Sequence, residues 1–420
     1  MLVLQGVLMA TQIKEIEVNE QNISILYEQG EYIPIVSMQL VFSNAGQLSE
    51  HINGLAGLSA NLFNEGTSKE GSMGFALKLD AKAIDIGTHV GRESFVIEVS
   101  SLKSEFPYAV ERLIELLKDP NYTKEALEQI KHQKLGWLSQ KKSDFGYISA
   151  SALRQSLFKG TALAEPYDGT LESIEAISLQ NIQDFISSHL GINNLMVVVG
   201  GDIGFEEVSG YVKDIAPLFA KIENKAMKPI EASAKKETIL IEEETEQAYI
   251  YFGSPFYYSY KSQDQHLAKI AEYLLGGAGF GSRLMEEIRV KRGLTYGVYA
   301  SLRRTKPVSY LSGSMQTKLS SQDEAKALIQ EVVDDFIKNG ITKEELEDTK
   351  KFLLGSEPLR TETLSQRLGR AFSDYYYERP LGFAKIQLEK LEAVTLEEVN
   401  TFIKSHTELS DLSFAIVTKK

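Results

Sequence analysis

The sequence predicts an α+β protein made of two copies of one domain in tandem, each a mostly antiparallel sheet with helices packed on one face. Three observations lead there. Strand-like segments alternate apolar and polar residues as half-buried strands do, runs of them are followed by pairs of helices, and the helix–strand ends recur once along the chain. At 420 residues the chain is long enough for each copy to bury its own core.

The repeat has an offset of about 218 residues. YTKEALEQIKHQKLGWL (122–138) matches ITKEELEDTKKFLLGSE (341–357), with Thr, Lys, Glu, Leu and Glu in phase. Further on, LQNIQDFISSHLGINNLMVVV (179–199) matches LEEVNTFIKSHTELSDLSFAI (396–416), pairing Phe185 with Phe402 and His189 with His406. Each match is a helix followed by an apolar strand. A period this long excludes a solenoid and indicates a duplicated domain. The expected division is 1–215 and 237–420, joined by a Lys-, Ala- and Pro-bearing linker at 216–236.

In the first copy, NISILYEQG and IPIVSMQLVFSNAG alternate like strands and are followed by turn residues. KAIDIGTHVGRESFVIEVSSL reads as a hairpin whose second strand points Phe95, Ile97 and Val99 to one face. FPYAVERLIELLKDP is a helix, with Pro107 in its first turn and Asp119-Pro120 as its stop. The leading MLVLQGVLMATQ is apolar without a positive n-region. A degenerate export signal, a start upstream of Met9 and a first strand all fit it, and the non-signal reading is preferred.

Composition narrows the function. A net charge of −13 leaves no basic footprint for nucleic acid, so the acidity serves solubility or lines a cavity for basic peptides. No apolar run reaches the roughly 18 residues that a membrane helix needs. With no cysteine there is no disulfide, thiolate zinc site or cysteine nucleophile. A cysteine-free chain is stable in either redox environment; the cytoplasm is the expected compartment and the periplasm the alternative.

One stretch has the spacing of a site without its chemistry. In GLAGLSANLFNEGT (54–67), Leu55, Leu58, Leu62 and Phe63 form the apolar face of a helix. Gly57, Ala60 and Asn61 follow one another at i, i+3 and i+4, which places Gly57 and Asn61 one turn apart. A metal or acid–base site suits that geometry, but the side chains are a hydrogen, a methyl and an amide. The frame G-L-A…L-F-x-E-G-T resembles the N-terminal signature of the insulinase/pitrilysin metallopeptidases, in the branch that includes the mitochondrial processing peptidase. In active members this helix carries H-x-x-E-H, two zinc ligands and a glutamate base. Aligned on the frame, those positions are Gly57, Ala60 and Asn61. The resemblance places a third ligand, a Glu, roughly 75 residues downstream, yet from Gln129 to Ala164 the only acids are Asp144 and none is Glu. His51, His89, His132, His189, His266 and His406 are too dispersed to form another local zinc motif. No metal or other cofactor is therefore expected in this chain.

The second copy is similar to the family's C-terminal signature in LLGGAGFGSRLMEEIRVKRGLTYGVYASL (274–302). Gly276, Gly277, Gly279 and Gly281 do not fit a phosphate loop, since GGAGFG departs from G-x-x-x-x-G-K-[ST] and follows a helix pattern. They read as an elbow before the SRLMEEIRVKR helix, with Arg283, Glu286 and Glu287 on the helix surface or pinning the elbow. Gly293 ends that helix, leaving Arg289 in its last turn and Tyr296 at the head of a strand. The resemblance assigns Arg289 and Tyr296 to the family's Arg/Tyr pair, which reaches the scissile peptide and the oxyanion at the zinc. Taken alone, the same residues read as an ion-paired Arg and a half-buried strand Tyr; within the motif the functional reading takes precedence.

Two metallopeptidase-family domains, one without zinc chemistry and one with the Arg/Tyr pair, imply the non-zinc subunit of a heterodimeric zinc peptidase. Its expected partners are a zinc-bearing H-x-x-E-H homologue, or a second copy of itself, and a peptide substrate. The alternative is a structural or peptide-holding scaffold of the same fold, as the related respiratory-complex core proteins are. A self-sufficient peptidase with an unfamiliar metal site has no cluster to support it.

Overall fold

The computed structural model describes residues 11–30, 33–223 and 226–420. The leading ten residues, on which the export-signal and first-strand readings fall, lie outside that range. The first half runs β1 (Gln12–Val18), β2 (Gln21–Gln29), β3 (Ile35–Ser43), α1 (Leu55–Phe63), α2 (Gly71–Asp80), β4 (Asp85–Val90), β5 (Ser94–Leu102), α3 (Phe106–Lys118), α4 (Lys124–Lys141), α5 (Phe145–Leu157), α6 (Leu171–Ala176), α7 (Leu179–His189), β6 (Leu195–Gly201) and α8 (Phe205–Ile215). The second runs β7 (Thr238–Glu243), β8 (Gln247–Pro255), α9 (Gln265–Glu272), β9 (Val298–Arg304), β10 (Ser309–Lys318), α10 (Gln322–Asn339), α11 (Lys343–Gly355), α12 (Leu364–Tyr376), α13 (Phe383–Ala393), α14 (Leu396–Ser405) and β11 (Ser413–Lys419).

Local chemistry sets many of these boundaries. Pro107 occupies the first turn of α3, where its missing N–H costs nothing, and Asp119 caps the other end. The matched helices of the repeat start alike. Ser178 and Asn181 form a capping box on α7, and Thr395 and Glu398 do the same on α14. Thr342 and Glu345 cap α11 in the same way.

The two sheets have one topology. The first is ordered β1-β2-β6-β3-β5-β4 and the second β7-β11-β8-β10-β9. With β1 set aside, the strands correspond one for one. Among the described residues the single parallel pairing falls in the same place in each, β2 with β6 and β7 with β11, and the other pairings are antiparallel. Inward residues such as Met38, Leu40, Phe42, Phe95, Ile97 and Val199 join α1, α3 and α7 in the first core. Ile250, Phe252, Met315 and Ile416 join α9, α10 and α14 in the second.

Each sheet also carries one helix on its opposite face, and that helix comes from the other half of the sequence. One compact unit holds the described residues up to Ser139, Pro166–Met227 and Arg360–Ser373, which include most of α12. The other holds Gln140–Glu165, which contains α5, with Lys228–Leu359 and Asp374–Lys420. In the second unit the buried Ser149 of α5 donates to the Tyr249 carbonyl at 3.0 Å and accepts from Val417 N at 3.2 Å, bridging β8 and β11. A glycine under each helix leaves room for it. A Cβ at Gly253 would lie 2.9 Å from Leu157, and one at Gly200 would lie 2.6 Å from Leu368. Among the described residues, no helix is long and apolar enough to cross a membrane.

Candidate functional site

In the first unit, α1 is fastened at both ends. Its N-cap, Gly54, has φ +88° and no side chain, so Glu50 does the capping from outside the helix. Glu50 accepts from Gly54 N at 2.8 Å and from Ala56 N at 2.7 Å. Burial pushes its carboxyl up to about 7, although these two N–H donors and the charge of Lys134 pull the other way. Lys134 is itself paired with Asp168 at 2.7 Å and lies over the Trp137 ring. At the far end, the Asn64 amide accepts from Thr88 N at 2.9 Å and donates to Thr88 O at 3.2 Å, while the Thr88 hydroxyl donates to the Ala60 carbonyl.

The three motif positions keep the helix and offer no ligand. Ala60 is buried, Asn61 is exposed, and a Cβ built on Gly57 would meet nothing closer than Val90 Cγ1 at 4.0 Å. Packing would therefore accept a larger residue at 57. A hydrogen, a methyl and a neutral amide do not fit zinc, which takes thiolate, imidazole or carboxylate. Among the described residues no three His, Asp or Glu converge as cation ligands. Three of the six histidines are engaged elsewhere: His189 with the Phe185 carbonyl, His266 with Gln387 and His406 with Glu408. Asp144 caps α5, accepting from Tyr147 N at 3.0 Å and pairing with Lys141 at 2.7 Å.

In the second unit the glycine segment has a definite build. Tyr273–Gly277 winds as a π-helix, and a Cβ at Gly276 would fall 2.6 Å from Ala300 on β9. Gly277 lies against the Glu272 carbonyl, Gly279 has φ +58°, and Gly279–Gly281 is a tight turn. Met285–Val290 is again a π-helix. Arg283 pins its start, giving Nε to Glu345 at 2.8 Å and a second nitrogen to the Gly340 carbonyl at 2.7 Å. Glu287 pairs with Lys291 at 2.6 Å and Arg292 at 3.0 Å. Gly293, at φ +64°, closes the helix by donating to the Arg289 carbonyl at 2.9 Å.

Arg289 is thus in the last turn, and among the described residues it has no carboxylate partner. Its guanidinium lies over the Phe280 ring, 4.2 Å from the centroid. Tyr296 differs from both sequence-level structural expectations. It lies in the loop two residues before β9 and is 92% exposed. Thr295 folds that loop by bonding both the N–H and the carbonyl of Gly297, which turns residue 296 outward. Sequence reasoning passed over Phe280, whose only signal is an aromatic ring set between two glycines.

Residues 7–171 match the insulinase (peptidase family M16) family, and residues 176–353 match the peptidase M16 inactive domain. The non-peptidase homolog YmxG of Helicobacter pylori is 41% identical over 99% of this chain and 97% of its own length. The chain belongs to the M16 family. An uncharacterized zinc protease of Streptomyces coelicolor is 23% identical over 76% of this chain and 72% of its own. A peptidase M16 inactive domain from Pseudomonas fluorescens shares the fold with TM-score 0.88, 23% identity, and coverage of 97% of this chain and 98% of that one.

Proposed function

We propose that this protein is the non-zinc subunit of a heterodimeric M16 peptidase. It closes the substrate chamber, binds the peptide, and supplies Arg289 and Tyr296 to the zinc site of an H-x-x-E-H partner. The observation that carries this reading is the state of that pair. Tyr296 holds its ring and hydroxyl in solvent, and Arg289 has no counter-charge among the described residues. A guanidinium free of carboxylate is available to a peptide carbonyl, and an exposed phenol is available to a developing oxyanion. In this reading 1–215 and 237–420 are the two duplicated halves of the sequence and 216–236 is the segment that links them.

The second reading is a non-catalytic scaffold or peptide-holding protein. It is favoured by the likeness to the Helicobacter pylori relative, which is named a non-peptidase homolog. Co-expression with an H-x-x-E-H homologue separates the two. The heterodimer reading expects a stable pair with about one zinc per pair, peptidase activity in the pair, and neither stoichiometric zinc nor hydrolysis in this chain alone. One tightly held zinc per chain in the isolated protein overturns it. A pair that forms and gains no activity over the partner alone leaves the scaffold.

A further inference from the structure

Arg289 is free of carboxylates although Glu286 and Glu287 precede it on the same helix. The winding accounts for this. Met285–Val290 is a π-helix in which Lys291 N reaches back to the Glu286 carbonyl at 3.0 Å, so each turn takes in one more residue than an α-helix does. Glu287 cannot face Arg289, two residues on, and meets Lys291 at the ordinary i,i+4 spacing and Arg292 beyond it. The group that Arg289 does meet is Phe280, whose ring is 68% exposed.

The turn that carries Phe280 is built to hold it there. Gly279 takes a left-handed conformation, and Ser282, fully buried, gives both its N–H (3.0 Å) and its hydroxyl (2.9 Å) to the Gly279 carbonyl. Gly276 anchors the preceding turn against Ala300, where no side chain fits. An exposed phenyl ring lowers no folding cost by itself. Stacked on a guanidinium, it fixes the plane of that group and covers one face, leaving the N–H edge for hydrogen bonds.

We propose that Phe280 is a positioning residue, holding the Arg289 guanidinium flat and unpaired so that its N–H edge meets a backbone carbonyl of bound peptide. This deepens the proposed function and rests on its peptide-binding part. The test uses the full-length chain and two readouts. The first is the Arg289 Nε–H resonance in arginine-labelled protein, which ring current from Phe280 should displace; the displacement should vanish in Phe280→Leu and persist in Phe280→Trp. The second is the anisotropy of fluorescein-labelled, reduced and carboxymethylated α-lactalbumin, an unfolded polypeptide. Kd should rise about two- to fivefold in Phe280→Leu, rise further in Arg289→Ala, change no more in the double variant than in Arg289→Ala, and recover in Phe280→Trp. A displaced resonance with an unchanged Kd in Phe280→Leu, alongside weaker binding in Arg289→Ala, overturns the role of Phe280 and leaves the peptide-binding reading standing. An unchanged Kd in Arg289→Ala, or no binding by the wild-type chain, overturns the peptide-binding reading and this role with it.

Discussion

Arg367 Nε donates to Glu28 Oε1 at 2.6 Å, joining two residues 339 positions apart within one compact unit. The Glu28 side chain is only 2% exposed, and its other oxygen accepts from Thr11 Oγ1 at 2.6 Å. Arg367 also donates to the Thr361 and Glu362 carbonyls. This pair ties the segment that opens α12 to β2. Arg367→Ala leaves a buried carboxylate with a single hydroxyl partner; because the Arg367 side chain is 33% exposed and water can take its place, the cost stays below the roughly 3–5 kcal/mol of breaking a fully buried pair. The combined change Arg367→Met with Glu28→Gln should cost much less, since neither charge remains. The chain's only tryptophan, Trp137, belongs to the same unit, so its fluorescence in urea reads the effect directly.

Gly57→Ala should stabilise the first unit by about 0.5–1 kcal/mol, the usual gain when a helical glycine with room around it receives a Cβ. Gly57 is not among the glycines with positive φ, and the nearest atom to an added Cβ is 4.0 Å away. The same urea titration checks this. A loss of stability would mean that close packing, and not lost chemistry, keeps residue 57 small.

Glu50 makes stability depend on pH. Its carboxyl is raised from 4.5 to about 7 in the folded chain, so the folded state holds a proton that the unfolded state has released. The contribution is fully present below pH 4.5, shrinks through the interval, and is lost above pH 7. At 1.4 kcal/mol per pH unit, the loss is about 3 kcal/mol. Glu50→Gln cannot titrate. The stability of wild type relative to Glu50→Gln should therefore fall as pH rises across that interval, and a rise would show that the carboxylate form caps α1.

Tyr296→Phe removes one hydroxyl from a side chain that is 92% exposed, so unfolding by urea should be unchanged within about 0.5 kcal/mol. In the heterodimer reconstituted with a zinc-bearing partner, kcat should drop by about 10²–10³, the usual effect of removing one oxyanion donor. KM should move far less, because the ground-state carbonyl needs the phenol less than the tetrahedral intermediate does. Full activity with intact zinc content favours the scaffold.

What was legible in the sequence followed from local rules. Alternation gave β2, β3 and the β4–β5 hairpin, and Pro107 and Asp119 bounded α3. The register of the repeat anticipated a shared strand order, and Gly293 marked the end of the helix bearing Arg289. The destinations of α5 and α12 were not legible, because an amphipathic helix shows that one face is buried and not which sheet buries it. β1 was masked by its charged residues, Lys14, Glu15 and Glu17, which suit an edge strand. Glu50 caps α1 from outside the helix, and Phe280 belongs to a turn without periodicity, so neither leaves a pattern to read. Tyr296 was expected at the start of the strand, but the Thr295–Gly297 bonds make a turn there.

The lending of α5 and α12 has a consequence for how such a chain could arise. If the tandem arose by doubling of a half-length gene, the ancestral product had one sheet and one helix built to cover the far face of another sheet. Its economical state was a symmetric dimer in which two copies exchanged that helix. Fusion then turned an association that depended on concentration into a tether. It also freed the two sheets to diverge in sequence, since each no longer had to match an identical copy of itself.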